Sequence, residues 1–129
     1  MKASAGEWIE KAEADFVSAG REFRARNQPN YDAACFFAQQ CIEKYLKANL
    51  ADADIAVPKT HDLEALLDLS LPARPRWEAF RPVAVDLTTF AVAFRYPGDS
   101  ATRDMARKAV RDAGRLREQI RRDMGLHLA

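Results

Sequence analysis

The chain has few residues that stop a helix and few that could staple a fold. Its 129 residues include five glycines, six prolines and two cysteines. The glycines and prolines cluster between periodic segments, which speaks against a fold of many short strands joined by tight turns. The cysteines, Cys35 and Cys41, lie on one predicted helix, with Cα atoms about 9 Å apart at helical rise. A disulfide needs less than about 7 Å, so both are expected as small reduced residues in or near the core. No Cys/His cluster has metal-ligand spacing, and neither a metal nor a cofactor is expected. Charge of one sign is also lacking. Twenty Lys and Arg face 19 Asp and Glu, a net charge of +1, so no global field draws the chain to nucleic acid or to a membrane surface. No run approaches the ~18 uninterrupted apolar residues of a membrane span. The opening MKASAGEWIEKAEADF carries acids and no apolar core, unlike a secretory leader, and the expected location is cytoplasmic. Gly-rich phosphate loops, Gly-x-Ser-x-Gly and carboxylate–His metal motifs are missing.

What is present is helical periodicity. An apolar fraction of 48% and a charged fraction of 30% describe a globular chain, expected as a single domain over residues 1–129. The first helix is predicted from about Ser4 to Ala25. Ser4 and Glu7 form a potential capping box, and Trp8, Ala12, Phe16, Ala19 and Phe23 make its apolar stripe. Asn30 caps the second helix. Tyr31, Ala34, Ala38, Cys41 or Ile42, and Tyr45 line its core face, and Cys35 and Leu46 widen it, so this helix belongs at the centre of a bundle. Residues 51–58 read as a loop. Thr60 or His61 opens a short helix, Asp62 to Ser70. One turn over Trp77–Phe80 precedes a helix that starts at Pro82 and carries Val83, Leu87, Phe90 and Phe94. Pro97 and Gly98 stop that helix at Tyr96. The last helix runs from about Ser100 to Met124. Short connections imply antiparallel neighbours, hence an all-α, up-and-down bundle of four main helices plus one short helix.

Several clusters could carry chemistry. Arg103, Arg107, Arg111 and Arg115 recur at steps of four, a ridge able to follow phosphates, although interleaved acids suit a solvated face equally. FRYPGDS (94–100) puts Arg95 and Tyr96 beside a turn that feeds a helix N-terminus, a natural anion site. KTHDL (59–63) brings Lys59 and a histidine, His61, that could titrate near neutrality, or Thr60 or His61 merely caps a helix. Arg122 and His127 share a short spacing on a tail expected to fray. On the second helix, Phe36, Gln40, Glu43 and Lys47 form the stripe opposite the core, with Phe36 either partner-facing or packed beneath a loop.

Four stretches, in this order, resemble the HEPN domain family: WIEKAEADF (8–16), Tyr31 to Ala48 with its AQQCIEKYLKA core, KTHDL (59–63) and Arg95-Tyr96-Pro97. The resemblance threads nearly the whole chain. It implies an all-α bundle that forms a homodimer, binds nucleotide, and is often paired, as in toxin–antitoxin systems, with a minimal nucleotidyltransferase. Many HEPN proteins are metal-independent endoribonucleases, with an Arg and, a few residues on, a His near the start of the last helix. There the His would move a proton at the ribose 2′-OH and the Arg would hold the phosphate. Arg95 takes the place of that Arg, but Ser100, Ala101 and Thr102 stand where the His belongs. The resemblance therefore implies a non-catalytic HEPN module that contacts nucleotide or RNA phosphate through Arg95, Tyr96, Lys59, His61 and Arg103. Phe36, Gln40, Glu43 and Lys47 are the expected partner face. One alternative is a ribonuclease that recruits His61 or His127 to Arg95. The other is a structural dimerisation adaptor.

Overall fold

The computed structural model describes residues 1–94 and 96–128. Among the described residues five α-helices form: α1 (Ala3–Arg24), α2 (Tyr31–Asp52), α3 (Leu63–Ser70), α4 (Arg81–Ala93) and α5 (Arg103–Asp123). A 3₁₀ turn (Pro75–Phe80) precedes α4, and no strand occurs among the described residues. Side-chain pairings give the helix directions. The start of α1 meets the end of α2 where the Lys2 N–H donates to Asp52 at 3.1 Å. Its last turn meets the start of α2, with Phe23 and Tyr31 centroids 6.2 Å apart. Helices α2 and α5 are parallel: Asp32 bonds Ala101 near their starts, and Tyr45 bonds Arg121 further along. Lys108 in the first half of α5 reaches Asp86 on α4 at 3.0 Å, and Trp77, just before α4, donates to Asp123 at the end of α5 at 2.7 Å, so α4 runs against α5. The four long helices thus alternate up, down, up, down, as expected, with α3 and the 3₁₀ turn bridging α2 to α4.

The centre belongs to α2. Alanines at 0–1% exposure (Ala12 and Ala19 on α1, Ala34 and Ala38 on α2, Ala106, Ala109 and Ala113 on α5) let the backbones approach. Ile42, Tyr45, Leu46 and Leu50 of α2, with Leu63, Leu66, Leu67, Trp77 and Leu87, fill the space between. Each such large side chain contributes about 1.5–3 kcal/mol by leaving water. Cys35 and Cys41 are both buried and unpaired.

Helix ends depart from expectation in instructive ways. The Ser4–Glu7 capping box does not form, because α1 begins at Ala3 and Ser4 lies inside it; Lys2 is the cap and makes no side-chain cap bond. The end is tied instead to α2, through Lys2 to Asp52 and Asp54. Asn30 caps α2 as expected, accepting from the Ala33 N–H at 2.9 Å. That helix runs on to Asp52, into the predicted loop. The cap of α3 is Asp62, which accepts from Glu64 and Ala65; Thr60 accepts from the Asp62 N–H at 3.1 Å, and His61 caps nothing. Pro82 is the second residue of α4, and Phe94, short of Tyr96, is its C-cap. Thr102 caps α5.

Candidate nucleic-acid interface

At one end of the bundle α1 and α4 finish while α2 and α5 begin. Between residues 28–32 and Ser100–Ala101 lies an open cleft of about 340 Å³. Gln28 bends the chain into it with a left-handed backbone, φ 50°. The Asp32 carboxylate accepts the Ala101 N–H at 2.6 Å and so ties the entry of α5 to the first turn of α2. Arg103 lies over the Phe23 ring, 5.5 Å from its centroid, and Phe23 leans on Tyr31 of the cleft wall. Arg21, Arg24 and Arg26 at the end of α1, and Arg107 on α5, are exposed. Tyr96 is 70% exposed. Guanidinium groups and an uncovered aromatic at one end of a bundle can hold phosphates and stack a base.

The helix N-termini here do not supply the anion site that their dipoles suggest. Asn30 accepts from Ala33, Asp32 from Ala101 and Thr102 from Met105. A side chain already occupies one N–H at each of these termini, and a carboxylate stands in the wall, so the groups at this end suited to a phosphate are arginine side chains. Of the row along α5, Arg103 is the residue at this end. Arg107 pairs with Asp104 at 3.1 Å and Arg111 approaches Asp112 at 3.6 Å. Lys108 bridges Asp112 and Asp86, and hydrogen bonds to those two carboxylates hold its pKa above the usual lysine value. Beyond its first residue the row is largely a laced, solvated face.

The expected contact residues fall into two places. Tyr96 and Arg103 belong to the cleft end, and Arg95 lies outside the described residues. His61 is held elsewhere, its Nδ1 2.8 Å from Glu43 Oε1 and its carbonyl accepting from the Gln39 side chain at 2.9 Å. Lys59, two residues earlier, is exposed. Glu43 lies eleven residues beyond Asp32 on α2, about 16 Å along the helix axis. His127 sits beyond the far end of α5. Its tail is not frayed: Arg121 donates to the His127 carbonyl, and the Leu126 N–H to Arg121 O at 2.7 Å. Within the chain neither histidine stands beside Ser100–Arg103.

The outward stripe of α2 needs correction. Phe36 is 40% exposed and Gln40 half-buried, but Glu43 and Lys47 are only 2% and 5% exposed. The segment leading into α3 covers Glu43 through His61, and Trp8 of α1 lies under the Lys47 ammonium, 5.4 Å from its ring centroid. Lys47 Nζ bonds Glu43 Oε2 at 3.2 Å. Neither residue can form the expected partner face.

A second ionic network had not been foreseen. Arg117 is 9% exposed. Its Nε and one terminal nitrogen each lie 2.6 Å from a different oxygen of Glu13, and its guanidinium stacks on Phe16 at 4.7 Å. The Tyr45 hydroxyl donates to Glu13 and accepts from Arg121 at 3.0 Å. Burial alone would raise the Glu13 pKa, but hydrogen bonds from Arg117 and Tyr45, with the Arg117 and Arg121 charges, bring it below the usual carboxylate value. Tyr45 is pushed up, by burial first and then by its bond to Glu13. One signal was available: Arg117 interrupts the apolar series Ala113, Leu116, Ile120 instead of joining the Arg103–Arg115 row. Among the described residues no group of His, Cys, Asp and Glu could hold a metal ion.

The HEPN domain family model matches residues 5–123. No curated protein and no solved structure matches the chain. No helix among the described residues is long and apolar enough to cross a membrane.

Proposed function

Because the chain belongs to the HEPN domain family, we propose that it is a nucleotide- or RNA-binding module that engages phosphates at the arginine-lined end of its bundle without cleaving them. The observation that carries this is Arg103, stacked on Phe23 at the rim of the cleft between residues 28–32 and 100–101. Stacking fixes one face of the guanidinium and leaves its edge N–H groups for a phosphate. Tyr96 supplies an uncovered ring at the same end, and Arg95 adjoins it in sequence. A cleaving site needs a proton carrier there. Ala101 has no titratable side chain, its N–H is held by Asp32, and Thr102 is committed as a helix cap. In the cell the module acts as a homodimer beside a minimal nucleotidyltransferase, in the manner of a toxin–antitoxin pair.

Fluorescence anisotropy with a labelled single-stranded RNA, over a salt series, tests the binding site. Arg103→Ala should weaken binding and lower the slope of log K against log salt by about one contact; Arg95→Ala should do the same. Unchanged affinity and slope in both variants would remove this end of the bundle from the account. RNA cleavage in EDTA, abolished by His61→Ala or His127→Ala, would replace binding with ribonuclease activity.

A further inference from the structure

The end of the bundle opposite the arginine-lined cleft holds a half-buried guanidinium without a paired acid. Arg74 stands in the turn that leaves α3. Of the five N–H donors of a guanidinium, it gives one to Asn49 Oδ1 at 3.2 Å and one to the main-chain oxygen of Asp123, the last residue of α5, at 3.0 Å. Among the described residues no carboxylate pairs with it. The Asp123 carboxylate is turned instead to the Trp77 indole N–H at 2.7 Å and the Gln119 amide at 3.0 Å. The carbonyls that end α5 supply only about half a negative charge. Asn49, 3% exposed, adds to the imbalance, because its amide nitrogen has no acceptor. Turning that amide over would set its nitrogen against the Arg74 N–H. Donors therefore outnumber acceptors in this corner.

Two open clefts, of about 270 and 250 Å³, lie beside it. Arg74 lines the first, Phe80 and Gln119 line the second, and Arg76, Trp77 and Asp123 line both, so the two adjoin. Arg76 is exposed and likewise pairs with no acid among the described residues. The Arg74 guanidinium carbon is 5.4 Å from the Trp77 ring centroid, and that centroid is 5.4 Å from Phe80. One small molecule can therefore reach from the charged side to the apolar side. Two guanidinium groups and one carboxylate line the clefts, so a single negative charge balances them. The Asp123 carboxylate opposes a dianion, and a planar guanidinium edge matches a planar carboxylate. The Gln119 amide nitrogen is spent on Asp123, which leaves its carbonyl oxygen as an acceptor on the apolar side.

We propose that these adjoining clefts bind a monocarboxylate that carries an aromatic or branched apolar group. The carboxylate lies against Arg74 and Arg76, and the apolar group against Phe80. A free acid and the C-terminal residue of a polypeptide share this chemistry, and the latter adds an N–H for the Gln119 carbonyl oxygen. The site lies about 30 Å along α5 from Arg103, and it does not depend on the phosphate reading above.

The test is proton–nitrogen NMR of the full chain titrated with 3-phenylpropanoate. The two tryptophans give two indole N–H signals. That of Trp77 should shift saturably, while that of Trp8, beneath Lys47, should stay. Arg74→Lys keeps the charge but loses the fork, and it should weaken binding by about tenfold, the worth of one good contact. Because Arg74 also closes the end of α5, Arg76→Gln at an exposed position reads the same site without risk to the fold, and it should weaken binding by about threefold. 3-Phenylpropanamide should produce no saturable shift. Binding of acetyl-Gly-Gly-Phe about tenfold tighter than 3-phenylpropanoate, lost in its C-terminal amide, would support the proposal with a polypeptide end as ligand. Equal or weaker binding of the peptide would support it with a free acid. The proposal is overturned if 3-phenylpropanamide binds as well as the acid, or if Arg74→Lys and Arg76→Gln both leave the affinity unchanged. It is equally overturned if inorganic phosphate displaces the acid at equal concentration, or if no Trp77 shift saturates by about 10 mM.

Discussion

Replacing Glu13 by Ala should show how much of this bundle depends on one carboxylate. Glu13 is the shared acceptor of Arg117, from α5, and of Tyr45, from α2. Without it the Arg117 guanidinium, with 11% of its side chain exposed, keeps only a 3.4 Å contact to the Leu128 carbonyl and the Phe16 face. Breaking a fully buried ion pair from one side costs about 3–5 kcal/mol. Glu13 itself is 32% exposed, and water can reach part of the gap, so the expected loss is about 2–3 kcal/mol. For a domain of this size that lowers Tm by about 7–11 °C, read by far-UV circular dichroism. The pH dependence checks the same contact independently. The folded pKa of Glu13 lies below its unfolded value, so its stabilisation is present above the unfolded value of about 4.3 and is lost as pH falls through the folded one. Wild type should therefore lose more stability than Glu13→Gln on acidification below about pH 5. A Tm loss of less than about 2 °C in Glu13→Ala, together with parallel pH curves, would refute the assignment of this pair as a major clamp between α1 and α5.

Two further outcomes follow from the packing of α2 against α5 and the burial of the cysteines. Asp32→Ala removes the acceptor of the Ala101 N–H, a residue only 8% exposed; it should cost about 1–2 kcal/mol and speed hydrogen exchange at Ala101 more than at α5's middle. Burial, and secondarily the Asp32 charge, pushes the Cys35 thiol up to about 11, and burial pushes Cys41 up as well. Neither should react with an aromatic disulfide reagent at about pH 8 in the native state, whereas both should react in denaturant; rapid native labelling of either would contradict their burial.

The helices were legible because each apolar stripe repeats at helical spacing, and the girth of apolar residues on α2 is what places it centrally. Caps were less legible. Asn30 reads correctly because its side chain meets the N–H of a residue three positions on. Ser4 and Glu7 have an equally good local pattern, yet the end of α1 is fixed by Asp52 and Asp54, some fifty residues away. Glu43 and Lys47 look solvent-facing because polar residues opposite a core stripe usually are. Here the segment entering α3 and Trp8 close over them, their charges are matched to each other, and the His61 ring bonds Glu43.

The same limit explains the arginines of α5. Nothing local distinguishes Arg103 from Arg111, and only its place within the apolar series Ala113, Leu116, Ile120 marks Arg117: each is a guanidinium on one helix among interleaved acids. What separates them is what lies opposite. Phe23 under Arg103 leaves its edge free, Asp112 screens Arg111, and Glu13 with Phe16 closes Arg117 into the core. Counting Lys and Arg along the helix therefore overstates its capacity for phosphate. The cations available to a ligand are those whose partners are aromatic faces or solvent, and they concentrate where α1 ends and α5 begins. That geometric selection places the RNA-binding test at Arg103, and it leaves Arg117 to the stability experiment alone.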